Sequence, residues 1–217
     1  MTKPVIVLGG GGHAKVLIDI LRRLNCPLLG IVDPNLSVGC VLHGLNVLGV
    51  DGVVFDYSKE EVDLVNGVGS LPKDKGLRAS LFNTFNAKGY RFKTLVDPTA
   101  FIAADVELSD GVQVMAGVII QAGTEIAENT IVNSGAIVEH DCRIGQHVHI
   151  APGAVLSGTV KVSDYVHIGT GANIIQGISI GSNSIIGAGS VITQDIAGNQ
   201  IVYPPRSQIR SISRDNV

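Results

Sequence analysis

One of the chain's six histidines sits between two acids, in the triplet Glu139-His140-Asp141. Neutral imidazole is the natural proton acceptor near pH 7, and general-base help of this kind contributes about 10²–10⁴-fold in rate. A neighbouring carboxylate holds the ring in one tautomer and stabilises the imidazolium that forms. The triplet therefore suits removal of a proton from an amine or hydroxyl nucleophile, with Asp141 as first choice of supporting acid and Glu139 as second. His149 follows nine residues later as a second candidate. His147 and His167 are expected on solvated surface, and His43 has no chemical context. Cys142 adjoins the triplet, but its place in the repeat described below is a small packing position.

A second constellation lies near the start. Val5-Ile6-Val7-Leu8 runs into Gly9-Gly10-Gly11-Gly12-His13-Ala14-Lys15. A helical stretch follows, with Val16, Leu17, Ile20, Leu21 and Leu24 on one face, and then Leu28-Leu29-Gly30-Ile31-Val32-Asp33. Strand, glycine turn, helix, strand and acid form the pattern that brings a diphosphate to a helix N-terminus, with an acid placed for a ribose. Asp33 lies 21 residues beyond Gly12, near the ~20 of such an acid. The full dinucleotide fingerprint is only partly matched, because His13 falls beside the place of the third glycine. A ligand carrying one nucleotide fits better than a nicotinamide dinucleotide. Val62–Val65 reads as a further strand ending in the turn Asn66-Gly67-Val68-Gly69-Ser70, Lys73–Lys88 as a helix and Arg91–Val96 as a strand.

The elements that must carry the first constellation follow a different period. From Val96 in steps of six to Ile192, all 17 positions are Val, Ile or Leu. The residue four places after each is small or β-branched throughout, Cys142 among them. Neither a 3.6-residue helix nor two-residue alternation gives this spacing. A short fixed period is the mark of a solenoid, whose units bury their apolar faces only by stacking. Seventeen units make between five and six triangular coils, about 25 Å of prism at ~4.7–4.9 Å per coil. His140 and His149 then fall about one side of the triangle apart, roughly 15–20 Å at about 3.3 Å per residue, too far to meet within one chain. A site using both lies between packed subunits, which predicts a trimer.

Composition removes several functions. Charged residues are 16% and hydrophobic ones 45%, so the chain is not of the disordered class. Aromatics are 4% with no Trp, and the net charge is −3, so no nucleic-acid platform or basic field is expected. Arg206, Arg210 and Arg214 read as a solvated tail. Three cysteines (Cys26, Cys40, Cys142) without a close pair suit a reducing compartment. No signal-peptide core and no run of 18 apolar residues is present, so no membrane span is expected and the expected location is cytoplasmic.

With Gly9–Lys15, the hexapeptide array and Glu139-His140-Asp141 together, the whole chain resembles the two-domain sugar O- and N-acyltransferases, including bacillosamine and perosamine N-acetyltransferases and sialic acid O-acetyltransferases. The resemblance implies a small N-terminal α/β (Rossmann-like) domain over 1–95, a left-handed parallel β-helix over 96–197 and a tail over 198–217. It implies acetyl-CoA as co-substrate, a homotrimer, and no metal. It places Gly11, Gly12, His13, Asp33, Gly67 and Ser70 at the nucleotide sugar, His140 as catalytic base with Asp141 beside it, and His149, Gly158, Thr170 and Ala188 at acetyl-CoA. The chain departs from the family at Pro34, where a second acid is common, and at Tyr203-Pro204-Pro205-Arg206, where many members read Gly-x-Pro-Ala. The expected reaction is acetylation of the 4-amino group of a nucleotide-linked sugar, UDP-bacillosamine-like or GDP-perosamine-like. O-acetylation of sialic acid or another sugar is the alternative.

Two other classes fit less well. A γ-type carbonic anhydrase on the same prism needs histidines two coils apart, and no two histidines are separated by 36 residues. A nucleotide-sugar sensor would use the glycine loop but leave Glu139-His140-Asp141 idle.

Overall fold

The computed structural model describes residues 3–72 and 76–205. Arg206, Arg210, Arg214 and Lys73 lie outside the described residues.

The N-terminal unit is a five-stranded sheet with helices packed on it. It comprises β1 (Val5–Leu8), α1 (Gly12–Arg23), β2 (Leu28–Val32), β3 (Val41–Leu42), β4 (Leu45–Gly49), β5 (Asp63–Asn66) and α2 (Leu77–Ala87). The strand order is β3-β4-β2-β1-β5, parallel except for the β3–β4 hairpin. The hairpin and a 3₁₀ turn at Asp51–Asp56 carry no clear sequence period, and neither was expected. β1 is buried along its whole length, as a central parallel strand covered on both sides must be.

Helix α1 buries Ala14, Leu17, Ile18, Ile20 and Leu21. Val16 and Leu24, expected on that face, are instead 45% and 39% exposed. Val16 belongs to the wall of the glycine-loop cavity, a functional surface that imitates a core position in the sequence.

The stretch Arg91–Val96, expected as one strand, splits between the two units. Phe92 bridges Leu64 beside β5, whereas Leu95–Val96 pairs with Gln113–Val114 and opens the solenoid. From there the chain forms three parallel sheets of seven, six and five two-residue strands. The second residue of each strand points inward, and Val114 through Ile192 in steps of six are buried. Val96, Ile102 and Leu108 pack on the same core from its first coil. Ile201–Val202 joins the seven-stranded sheet beside Ile185–Ile186, within the stretch expected as a tail. Its pairing was hidden because Ile201 falls off the six-residue step.

Each six-residue unit turns at a residue with positive φ, from Gly111 to Gly189, three to a coil. Most of these are Gly or Asn. The exceptions are Asp141, His147, Thr159 and Tyr165, at φ 59°, 57°, 60° and 59°. Asp and His enter this region more readily than most side chains, whereas Thr159 and Tyr165 hold it at a cost, and such positions cluster at functional sites.

The outward residues give each face its character. One face carries Gln113, Ile131, His149, His167 and Ile185, and is called here the docked face. The N-terminal unit packs on it, with Ile131 and Met115 in one apolar cluster with Leu17, Ile18 and Leu21 of α1. A second, apolar face carries Phe101, Ile119, Ile137, Val155, Asn173 and Val191. The third, charged face carries Glu107, Glu125, Arg143, Lys161 and Ser179. Arg23 of α1 also anchors the units by pairing with the buried Asp97 carboxylate at 2.5 Å.

Candidate active site

The glycine loop ends at Gly11, whose extended backbone caps α1 without a side-chain bond. No acid lies in the first turn of α1, so no side chain of the helix itself offsets its positive N-terminus. The first free N–H groups of α1 are therefore available to an anion. Asp33 shapes the loop: its Oδ2 accepts from Gly10 N at 2.8 Å and its Oδ1 from Asn35 N at 2.9 Å. His43 has a role that its sequence context concealed, with Nε2 donating to Gly10 O at 3.2 Å.

The glycine loop, the start of α1 and Asp33 line a cavity of about 540 Å³. All six residues expected at the nucleotide sugar (Gly11, Gly12, His13, Asp33, Gly67 and Ser70) lie on its wall. The solenoid supplies the rest of the wall through Asn133, Ser134 and His149, of which sequence reasoning missed the first two.

Two histidines on this wall have fixed tautomers. His149 is 7% exposed; its Nδ1 donates to Ser70 O at 2.7 Å and its Nε2 accepts from Asn133 Nδ2 at 3.2 Å. Burial holds its pKa below the ordinary value. His13 Nε2 donates to Gln113 Oε1 at 2.8 Å, and burial, helped by the Arg78 guanidinium, lowers its pKa to about 4. Both rings are neutral at pH 7.

Behind the cavity a buried polar network joins the two units. Arg78 donates to Asn66 O at 2.9 Å, to Val68 O at 2.7 Å and to Asn129 O at 3.2 Å. Burial alone brings its guanidinium down to about 9. Asn129 Nδ2 donates to His147 Nδ1 at 2.9 Å. His147, expected on solvated surface, is thus 9% exposed, stacked on Tyr165 and edge-on to Phe82 of α2. The docking of α2 on the solenoid buries it. His167, also expected on solvated surface, is instead half-buried; it sits one coil beyond His149 in direct register, the two rings 4.9 Å apart, as simple stacking predicts.

His140 and Asp141 occupy a different edge, the corner between the apolar and charged faces. His140 Nδ1 donates to Asp141 Oδ2 at 2.8 Å, which leaves the Nε2 lone pair free. The two side chains are 51% and 60% exposed. No bond joins the Glu139 side chain to the ring; the Glu139 carbonyl instead accepts from Thr124 Oγ1 at 2.9 Å. Gly158, one coil along, lies beneath the ring, and its N–H makes no hydrogen bond among the described residues. Cys142 is fully buried with its thiol pushed up to about 11 by burial, in keeping with the expected packing role.

Thr170 and Ala188 are exposed on the same corner as Ser134, between the docked and apolar faces, two and three coils farther along and outside the cavity wall. Within one chain, then, His149 joins the glycine-loop cavity, Gly158 joins His140, and Thr170 and Ala188 join neither. The described residues contain no group of three His, Cys, Asp or Glu side chains able to hold a metal, and no helix long and apolar enough to cross a membrane.

Residues 4–85 match the PglD N-terminal domain, and residues 123–158 and 159–194 match the bacterial transferase hexapeptide (six repeats). Among solved structures, the chain is similar to PerB from Caulobacter crescentus in complex with CoA and GDP-perosamine. The two are 34% identical over 93% of this chain and 94% of that one, with a TM-score of 0.84. It is similar also to the acetyltransferase domain of PglB from Neisseria gonorrhoeae in complex with acetyl coenzyme A, 32% identical over 92% and 94%, TM-score 0.82. WeeI from Acinetobacter baumannii shares the fold at 24% identity over 94% and 97%, TM-score 0.84. Among curated proteins, none matches. Two matched domains in the same order and near-complete coverage at one-third identity establish that this chain belongs to the two-domain hexapeptide-repeat sugar acetyltransferases.

Proposed function

We propose that the chain transfers the acetyl group of acetyl-CoA to the 4-amino group of a nucleotide-linked sugar, with His140 as general base. The observation that carries this reading is the His140 Nδ1–Asp141 Oδ2 bond, which leaves a bare, solvent-accessible Nε2 on a prism corner. The chemistry is direct attack in a ternary complex. The sugar amine adds to the thioester carbonyl while Nε2 takes the amine proton. The tetrahedral intermediate collapses by breaking the C–S bond, and the imidazolium returns the proton to the departing CoA thiolate. The products are an N-acetyl sugar and free CoA. Asp141 keeps Nδ1 protonated throughout. The unengaged N–H of Gly158 is the candidate donor to the oxyanion.

The nucleotide half of the substrate goes to the glycine-loop cavity, with its diphosphate at the α1 N-terminus. This cavity and the His140 corner lie at opposite edges of the apolar face. We infer a homotrimer in which that face packs on a neighbour and brings one chain's cavity to another's base. The face supports this chemically: it presents Phe101, 56% exposed, and Val191, 64% exposed, with Ile119, Ile137 and Val155 between them, whereas its neighbour on the prism is charged. Acetyl-CoA is assigned to the same seam, along Gly158 of one chain and the Thr170–Ala188 corner of another, with His149 facing the reacting ends from the cavity wall. The unpaired cysteines suit the cytoplasm.

A thiol-release assay with acetyl-CoA against UDP- and GDP-linked 4-amino sugars and free sialic acids tests the reading. Turnover is expected with a UDP- or GDP-linked 4-amino sugar. Turnover confined to sialic acids would transfer the assignment to O-acetylation.

A further inference from the structure

Gln113 was not singled out by the sequence, yet it touches both loops that shape the cavity. It is 1% exposed and reaches from the docked face into the N-terminal unit. Its Nε2 donates to Asn66 O at 2.9 Å, at the head of the Asn66–Ser70 turn. That carbonyl can only accept, so the orientation of the Gln113 amide is forced: nitrogen toward Asn66, oxygen toward His13. The oxygen can only accept as well, so the proton on His13 must lie on Nε2, 2.8 Å away. Nδ1 is then a bare lone pair. It makes no hydrogen bond among the described residues, and its ring lines the cavity.

We propose that Gln113 is a positioning residue for the sugar nucleotide: it fixes His13 as the Nε2–H tautomer, so that Nδ1 accepts a hydrogen bond from a hydroxyl or amide N–H of the ligand. This rests on the nucleotide-sugar reading of the cavity. It also divides the ligand chemically along α1. A diphosphate ester is acceptor-only at pH 7 and meets the backbone N–H groups at the helix start. A phosphate oxygen facing Nδ1 would set lone pair against lone pair, so the imidazole selects a donor. The network behind it makes the arrangement stiff, because Asn66 O also accepts from Arg78, itself bonded to the solenoid at Asn129.

The test is a long-range ¹H–¹⁵N correlation spectrum of the uniformly labelled, full-length protein at pH 7, with His13 assigned from the His13→Asn variant. A pyrrole-type Nε2 and a pyridine-type Nδ1 are expected, with the Nδ1 resonance moving upfield when the nucleotide sugar is added. A protonated Nδ1, or an Nδ1 that ignores the saturating ligand, would overturn the proposal. In Gln113→Leu the tautomer lock is released. KM for the nucleotide sugar should then rise about tenfold while kcat and KM for acetyl-CoA stay within about twofold. An equal fall in kcat/KM for both substrates would make Gln113 merely structural. If Gln113→Leu does not fold, the wild-type spectra with and without ligand decide alone. Should His13 show the stated tautomer while no nucleotide sugar binds, the functional reading and the ligand half of this proposal fail together. Should the enzyme turn over with Nδ1 protonated, only the present inference fails.

Discussion

The imidazole of His140 rests on the bare α-carbon of Gly158: a β-carbon there would lie 2.5 Å from His140 Nε2 and 2.6 Å from Cε1. The ring is half-exposed and can swing away, so Gly158→Ala should barely alter stability and should displace the base. A misplacement of about 1 Å can cost on the order of 10²-fold in rate. We expect kcat to fall by about 10- to 100-fold with Tm within a few degrees of wild type. Unchanged kcat in a folded variant would separate Gly158 from the chemistry.

Asp141 is cradled in the same way from the other side. A β-carbon on Gly123 would approach Asp141 Oδ1 to 2.5 Å, whereas one on Gly135 meets nothing within 4 Å. Both glycines have positive φ, +70° and +66°, so alanine strains both backbones equally, by about 1–2 kcal/mol. Gly123→Ala and Gly135→Ala should therefore lose similar Tm, and only the first should lose activity. Asp141→Asn should lower kcat by about tenfold or more, because an amide can pair with Nδ1 and send the proton to Nε2. Parallel Tm and activity measurements on the three variants check this; equal activity in the two alanine variants would contradict it.

Acid should destabilise the fold through its buried histidines. His13, His147 and His149 all have pKa values lowered by burial in the folded state. Between an unfolded value of about 6.5 and a lower folded one, the unfolded chain binds more protons, so stability rises with pH. It is lost as pH falls below about 6.5, and for His13 the loss continues to about 4. Each such group contributes up to about 1.4 kcal/mol per pH unit in its window. Thermal melts at pH 7, 6 and 5 should show a falling Tm, less steep in His13→Asn. A flat Tm would be evidence against neutral buried rings.

The cysteines should report on the mechanism by their indifference. Cys40 is exposed, whereas Cys142 is buried with its thiol held near 11. A thiol reagent added to the native protein should label Cys40 and leave Cys142 unmodified until denaturant is added, without loss of turnover. Labelling of Cys142 in step with inactivation would reopen a covalent route.

The solenoid was legible because each six-residue unit repeats one packing problem, and inward positions from Val114 to Ile192 admit only branched apolar side chains. The glycine loop was legible because a strand–turn–helix that leaves N–H groups free needs a recognisable composition. What stayed hidden depends on which face another unit covers. His147 looks like surface until α2 closes on it. Val16 looks like core until the cavity opens beside it. Gln113 had a signal: it occupies the outward register shared with Ile131, His149 and His167, one polar side chain above an apolar one. A reading of all residues spaced by eighteen along each face would have marked it. Arg78 had none, since an arginine on a short helix is ordinarily solvated.

The claim that the nucleotide cavity of one subunit serves the imidazole of another is tested most directly by mixing two inactive variants. His140→Ala removes the base. Gly12→Asp sets a carboxylate at the α1 N-terminus, where a β-carbon meets nothing within 4 Å, so the fold is kept while a diphosphate is repelled. Denatured together at equal ratio and refolded, random mixed trimers contain intact shared sites at about a quarter of their interfaces. Turnover approaching about a quarter of wild type is the predicted result. Mixed oligomers that form yet stay as inactive as either parent would show that cavity and base act within a single chain, and would contradict the account.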